Sequence, residues 1–361
     1  MSGSRAKTII GNLLATSDIE VNGSRSWDIQ VHESRFYARV LAGGSLALGE
    51  SYMDGWWDCP ALDQFFGRIL ASRTDKHANS HFIGSIKEFM SCALVNAQSR
   101  ARSFFIGKHH YDLGNELFAH MLDSGLNYSC GYWEQAGDLE QAQEAKLNLI
   151  CRKIHLKPGM KVLDIGCGWG GFAKYAAEKF GVSVCGITVS KEQVGFAQKA
   201  CKGLDVKIEL KDYRDIEGRF DRIVSVGMFE HVGFKNYRTF MRIVHQALKS
   251  QGLFLLHTIG SNTSQRSIDP WMSTYIFPNS MLPSARQITK AAEGFFVLED
   301  WHSFGHCYDR TLMAWHKNFT DSWDTIKHAY DERFYRMWTY YLLACAGSFR
   351  ARRNQLWQIN R

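Results

Sequence analysis

Lys161-Val-Leu-Asp-Ile-Gly-Cys-Gly-Trp-Gly-Gly171 is an apolar strand running into a glycine turn, with the carboxylate of Asp164 just ahead of the first glycine. Gly166 and Gly168 allow a tight turn and let a ligand approach backbone that carries no Cβ, and a helix is expected to begin near Gly171. Such a turn cradles an adenosyl cofactor. Gly166, Gly168 and Gly171 also fit the loose dinucleotide fingerprint, which is weak by itself. A nicotinamide site wants an acid at the end of the second strand to hold the ribose. Here the strand Ser183-Val-Cys-Gly-Ile-Thr188 runs into Val-Ser-Lys-Glu-Gln193 instead. Asp164 suits S-adenosylmethionine, whose methionine amino group it can meet directly or through water.

Outward from the turn the pattern alternates. Lys161–Asp164, Ser183–Thr188, Val206–Leu210, Asp221–Gly227 and Leu253–His257 read as buried strands, with helical patterns such as Phe172–Phe180 and Lys191–Lys202 between them. This order predicts an α/β fold, a doubly wound, mostly parallel seven-stranded sheet of the class I methyltransferase type. Phe295–His302 and Asn354–Asn360, separated by helical patterns at Leu312–Tyr330 and Glu332–Arg352, read as an antiparallel edge pair. Residues 1–95 have a different texture, with short helices and the aromatic Ser51-Tyr-Met-Asp-Gly-Trp-Trp-Asp58, and read as a small helical domain. Residues 96–150 then form a connecting segment that contributes to the active site, and 151–361 the catalytic domain. Pro270, Pro278 and Pro283 fall in one stretch, 261–283, expected to be an ordered insertion over the cofactor cleft.

At 361 residues the chain is long enough for one large domain and a smaller one. It has no run of about 18 apolar residues, and Met1-Ser-Gly-Ser-Arg-Ala-Lys7 lacks the apolar core of a signal peptide, so a cytoplasmic location is expected. Nine scattered cysteines without a Cys-x-x-Cys pair read as free thiols. The net charge of +7 is modest. Arg350, Arg352 and Arg353 behind Trp338-Thr-Tyr-Tyr341 fit an anionic surface such as lipid head groups, although for the arginines alone a solvated helix face is the favoured reading. No base-reading motif accompanies them, so nucleic acid is not an expected partner.

In doubly wound sheets, ligands sit beyond the carboxyl ends of the strands where strand order reverses. That rule selects Gly166 and Gly168 from the first strand, Glu230 and His231 after the fourth, and His257 from the fifth. Glu230 and His257, from neighbouring strand ends, can pair for general-base work; equally, each can be a structural group closing a loop.

His110-Tyr-Asp-Leu-Gly-Asn115, Tyr128-Ser-Cys130, Leu163 to Gly171, Phe229-Glu-His-Val-Gly233, Leu256-His-Thr-Ile-Gly260, Asp269-Pro-Trp271 and Tyr275-Ile-Phe-Pro278 make a specific pattern. With Gly49-Glu-Ser-Tyr-Met-Asp-Gly-Trp-Trp57 and Ala344 to Arg352, it covers nearly the whole chain, which resembles the bacterial cyclopropane-fatty-acyl-phospholipid synthases. The resemblance implies that an unsaturated phospholipid acyl chain receives the methyl carbon of S-adenosylmethionine across its cis double bond. A cyclopropane ring then closes as a carbocation loses a proton to a bound bicarbonate. An alkene is a poor nucleophile, so the pocket must hold it close to the sulfonium methyl and exclude water.

The bicarbonate-holding positions implied are Cys130, Glu230, His257, the backbone of Ile259, and Tyr308. For the cofactor they are Tyr128 and Ser129 at the methionine end, Gly166, Gly168 and Gly186 beneath it, Thr188, Ser190 and Gln193 at the ribose, and Asp212 and Tyr213 at the adenine. Gln193 has the alternative of an exposed first-turn helix residue. Cys345, a cysteine sometimes given a catalytic role in the family, sits in an apolar helical run where packing is favoured. Cys167 is expected to pack, and His110 to hold a loop. A metal role for His109 or His110 is not expected, because no second ligand has suitable spacing.

Tyr52, Trp56 and Trp57 read first as core. The resemblance implies that their domain also helps to engage the bilayer and supports a homodimer, with the enzyme peripheral to the inner face of the membrane. An apolar channel beside the cleft, lined partly by 261–283, would take the drawn-up acyl chain. Phe304-Gly-His-Cys-Tyr308 is a local departure, and relatives often carry a short tail beyond the last strand. Two other readings stand beside this one: methyl transfer to a lipid or small molecule without ring closure, and a lipid-surface protein that keeps the adenosyl site without turnover.

Overall fold

The structure is a computed structural model that describes residues 3–72, 114–265 and 267–361. His109 and His110 lie outside the described residues. The chain divides into two compact units: one of residues 1–95, 267–278 and 312–354, the other of 96–266, 279–311 and 355–361. The expected plan gave 1–95 to a small helical domain, 96–150 to a connecting segment and 151–361 to the catalytic domain; by contacts, 267–278 and 312–354 group with 1–95.

In the helical unit, two-residue strands β1 (Gln30–Val31) and β2 (Trp57–Asp58) pair antiparallel. The helix Glu332–Arg350 packs on the helix Leu62–Ser72, and this contact assigns the C-terminal helices to the N-terminal unit. A Cβ on Gly347 would lie 2.7 Å from both Asp63 O and Gly67 N, so the two backbones approach as only glycine permits. Trp57, fully buried, meets Tyr52 at 5.2 Å and Phe65 at 5.3 Å between ring centroids. The expectation that these aromatics form core therefore describes Trp57 and Tyr52, while Trp56 is half-buried beneath the guanidinium of Arg39.

The second unit holds a seven-stranded sheet of β3 (Lys161–Ile165), β4 (Ser183–Thr188), β5 (Val206–Leu210), β6 (Phe220–Val226), β7 (Leu248–Ser261), β8 (Asp300–Ser303) and β9 (Asn354–Asn360). Its order is β5-β4-β3-β6-β7-β9-β8, with β3 to β7 parallel and β8 antiparallel to β9. The order reverses between β3 and β6, which puts the crevice at the glycine turn. β8 is shorter than expected. Phe295 and Phe296 both donate backbone N–H to Ala292 O, closing the helix Ala285–Ala292, and their rings pack against the core instead of entering the sheet.

Side chains alternate across the sheet. Leu163, Ile165, Ile223, Phe254 and Leu256 face one core with Phe240 and Val244 of the helix Tyr237–Ala247. Val162, Val224 and Leu255 face the other, with Ile150 of the helix Leu139–Lys153 and Phe172 of the helix Gly171–Phe180. Asp164 and His257 continue the second set, so both point to the face that the helix Leu139–Lys153 covers. Among the described residues, no helix is long and apolar enough to cross a membrane.

Candidate active site

Gly166, Gly168 and Gly170 all take positive φ, at 85°, 55° and 89°. The turn is tied to the end of β4, because Gly166 and Cys167 both donate N–H to Ile187 O. A Cβ on Gly166 would meet Met228 Cβ at 2.7 Å, and one on Gly186 would meet Ile208 Cδ1 at 2.7 Å, so these two glycines let the strand ends close up. A Cβ on Gly168 would meet nothing within 4 Å, and this open side is where a ligand can lie against the backbone. Cys167 is buried, and desolvation holds its thiol well above the usual value, in keeping with packing.

Asp164 is buried, and its Oδ2 has no hydrogen-bond partner. Burial pushes its carboxyl up to about 7, against the opposing pull of Lys146. An open carboxylate oxygen below the glycine turn fits the amino group of an adenosyl amino acid.

At the end of β4, Thr188 Oγ1 donates to Gln193 Oε1 at 2.7 Å, and Ser190 caps the helix Lys191–Ala200 by accepting from Gln193 N. Gln193 is thus buried, not an exposed first-turn residue, and its amide nitrogen is left to donate elsewhere. Asp212 caps the short turn Tyr213–Asp215 and accepts from Arg214 Nη1 at 2.9 Å, while the Tyr213 ring packs edge-on to Phe240.

A second set gathers beside the first. Glu230 follows β6, and its Oε1 accepts from Ile259 N at 2.6 Å, joining the loop to β7. Its Oε2 is buried and unpartnered, and desolvation lifts the carboxyl to about 7. His257, on β7, turns Nδ1 to Gln358 Nε2 at 3.3 Å and leaves Nε2 buried without a partner. With the amide donating, Nδ1 accepts and the ring proton sits on Nε2. Burial, helped by Lys146 and Lys153, holds His257 well below its usual value and hence neutral near pH 7.

Cys130 is fully buried, donates its thiol to Gly131 O at 3.2 Å and lies 3.7 Å from Thr311 Oγ1. Thr311 also accepts from Gly131 N and Trp133 Nε1, fastening this segment to the helix His306–Ile326 one turn beyond the buried Tyr308. His231 turns away, with Nδ1 3.0 Å from Ser280 Oγ, and Met281 N donates to Glu230 O, so residues 280 and 281 are held against the Glu230 loop.

At the departure before Tyr308, His306 Nε2 lies 3.1 Å from Glu134 Oε1 and 3.5 Å from Cys307 Sγ; the imidazole and the carboxylate are exposed. Cys345 stands in the helical unit, where burial pushes its thiol up to about 12. A thiol held protonated is a poor nucleophile.

Sequence reasoning missed Lys146 and Gln143. Both lie on the buried stripe of the helix Leu139–Lys153 with Ala142, Leu147 and Ile150, and a lysine on an apolar stripe was the available signal.

A family model described as mycolic acid cyclopropane synthetase matches residues 98–359. The chain belongs to this family. The cyclopropane-fatty-acyl-phospholipid synthase of Escherichia coli K12 is 55% identical over 351 residues, covering 97% of this chain and 92% of that protein. Cyclopropane mycolic acid synthase 3 of Mycobacterium tuberculosis is 35% identical over 67% of this chain and 91% of its own length. Among solved structures, a cyclopropane synthase from Mycobacterium tuberculosis superposes with a TM-score of 0.68 at 32% identity, over 71% of this chain and 97% of that one. A mycolic acid cyclopropane synthase complexed with SAH and CTAB does so with 0.67, also at 32% identity, over the same shares. The superposed structures bear out the expected methyltransferase-type sheet, and this chain is an S-adenosylmethionine-dependent enzyme.

Proposed function

We propose that the protein converts unsaturated acyl chains of membrane phospholipids into cyclopropane-containing chains, with Glu230, His257, Cys130, Tyr308 and the Ile259 backbone holding a bicarbonate ion. The observation that carries this reading is the pair of buried, unpartnered atoms, Glu230 Oε2 and His257 Nε2, on adjacent strand ends beside the glycine turn. Buried polar atoms are rarely left open, and two together at the ligand end of such a sheet mark a place made for a small polar guest. Bound, S-adenosylmethionine supplies the methyl carbon to the double bond, and bicarbonate supplies the base that takes a methyl proton as the ring closes.

The residues divide the work by charge. His257, neutral with its proton on Nε2, donates a hydrogen bond to the anion. Cys130, kept as a thiol by burial with its proton directed to Gly131 O, lines the site without adding a competing negative charge. Glu230, held near neutrality in its buried site, accepts from the ion when deprotonated and donates when protonated. Gly168 and Asp164 receive the cofactor, Tyr128 and Ser129 close its methionine end, and Thr188, Ser190 and Gln193 present hydrogen-bonding groups to the ribose. Asp212 and Tyr213 border the adenine. In the cell we place the enzyme at the cytoplasmic face of the membrane, as a homodimer whose helical unit helps engage the lipid.

The test is to incubate purified protein with S-adenosylmethionine and vesicles of cis-monounsaturated phospholipid, then to analyse the acyl chains. Gain of one CH2 with loss of the alkene, and cyclopropane proton signals by NMR, is the expected result. Gain of CH2 with the alkene retained would replace ring closure by plain methyl transfer. Removing dissolved carbon dioxide and bicarbonate should slow turnover, and adding bicarbonate should restore it; insensitivity to both would remove the ion from the reaction.

A further inference from the structure

We propose that Lys146 is a positioning residue for the amino-acid end of the cofactor: it fixes Ser129 so that the serine O–H faces the methionine carboxylate, and it supplies the positive charge that carboxylate requires. The proposal rests on reading the glycine turn as the S-adenosylmethionine site. Lys146 has no exposed surface. Its Nζ donates to Ser129 Oγ at 2.9 Å and to Gln143 Oε1 at 2.7 Å, both neutral oxygens. An ammonium has three protons to donate, and these two bonds use only two.

Among the described residues, no carboxylate forms an ion pair with Lys146. The nearby Asp123 spends its carboxylate on Gly125 N, Asn127 N and Asn127 Nδ2. A buried charge without a counter-ion is costly, and burial accordingly lowers Lys146 to about 8. Asp123 and Asp164 reach it only through space, so its third proton is left for an anion from outside the chain.

The geometry selects which anion. Because Ser129 Oγ accepts from Lys146, its own proton is released to donate outward. Because Gln143 Oε1 accepts too, Gln143 Nε2 is turned to donate to Asn127 O and Ser129 O, which pins the backbone of Tyr128 and Ser129. On the same face of the sheet Asp164 presents its open Oδ2. One buried cation and one open carboxylate are the complement of an α-amino acid zwitterion: Asp164 for the ammonium, Lys146 through Ser129 for the carboxylate.

The test compares equilibrium binding of three probes by calorimetry: S-adenosylhomocysteine, its decarboxylated analogue, and 5′-methylthioadenosine, which lacks the amino-acid end. A hydrogen bond to a charged group implies that the intact protein prefers S-adenosylhomocysteine to the decarboxylated probe by about tenfold or more. Lys146→Met should collapse that preference while leaving 5′-methylthioadenosine affinity unchanged. Ser129→Ala, which keeps the lysine, should narrow the same ratio and covers the case in which Lys146→Met does not fold. An unchanged ratio in either variant, or equal weakening of all three probes by Lys146→Met, would overturn the proposal by making Lys146 a packing residue. If the unaltered protein bound none of the three, the cofactor reading of the turn would itself fall, and the proposal with it.

Discussion

Asp28 in the helical unit and Asp164 in the sheet are both buried aspartates, and their surroundings push them in opposite directions. Asp28 accepts from Glu20 N and Arg25 N, and from Arg25 Nε and Nη2, at 2.8 to 3.0 Å, and these bonds hold its carboxyl down to about 2. Asp164 has an open Oδ2 and rises to about 7. Arg336 repeats the first pattern, with Trp57 O at 2.9 Å and Asp58 Oδ1 at 2.7 Å, while Glu230 and His257 repeat the second. In the first set, around Asp28 and Arg336, the charged groups are closed on partners; in the second, at Asp164, Glu230 and His257, a polar atom of each is left open. A natural sequence gives up local consistency chiefly at its functional sites.

The comparison is broken most directly at Glu230. Glu230→Gln keeps an oxygen for Ile259 N but replaces the open Oε2 with an amide nitrogen. Ring formation should fall by about 10²- to 10⁴-fold, with S-adenosylhomocysteine affinity nearly unchanged, read by acyl-chain mass spectrometry and calorimetry. Turnover equal to that of the unaltered protein would put Glu230 among the closed, structural groups.

Asp28 should show the reverse. Asp28→Asn strips charge-assisted bonds from a closed network, so stability should drop by about 2 kcal/mol in denaturant melts while cofactor affinity stays put. The pH dependences should oppose each other as well. A carboxyl lowered from 3.8 to about 2 gives stability that is present above its unfolded value and lost as pH falls toward 2. A carboxyl raised from 3.8 to about 7 binds a proton in the folded, ligand-free state that the unfolded chain releases, so stability declines as pH rises through that window. Asp28→Asn should flatten the acid limb, and Asp164→Asn should flatten the decline between about pH 4 and 7.

Asp164 also sharpens the comparison through binding. Only the ionised carboxylate attracts the cofactor's ammonium, so S-adenosylhomocysteine affinity should weaken as pH falls below about 7. Asp164→Asn should cost about tenfold in affinity and remove that pH dependence. A pH profile unchanged in the variant would assign the titration to another group.

How much of this was legible depends on where the information lay. β4, β5 and β9 stand at the expected residues, β4 through the apolar run of a strand inside the sheet and β5, at its edge, through the apolar–polar alternation Val-Lys-Ile-Glu-Leu. β8 did not, since Phe295 and Phe296 carry the same signal while serving as the hydrophobic close of a helix. The grouping of 312–354 with 1–95 was hidden for a related reason: an amphipathic helix declares that it buries a face but not against which partner, and the close approach of Gly347 to Asp63 and Gly67 links residues too far apart in sequence for any local pattern to join. In the candidate site, topology points to the residues at strand ends, whereas Lys146 and Gln143 lie in the middle of a helix. Their role is set by what they face across the sheet.

The smallest effect is expected at Cys345, and it separates two buried thiols, Cys130 and Cys345. Burial keeps both Cys130 and Cys345 protonated. Cys130, however, sits in a bonded frame with Gly131 and Thr311 in the unit that holds the sheet, while Cys345 has apolar helix neighbours in the helical unit. Cys345→Ala should therefore leave ring formation within about twofold and remove only a packed sulfur, a loss of at most about 1 kcal/mol. Cys130→Ala, by contrast, should weaken the response to added bicarbonate, since it loosens the frame with Gly131 and Thr311 proposed to border the anion. If the Cys345 variant lost activity at unchanged stability, the helical unit would hold a reacting group, and the division between closed and open regions would have to be redrawn through that helix.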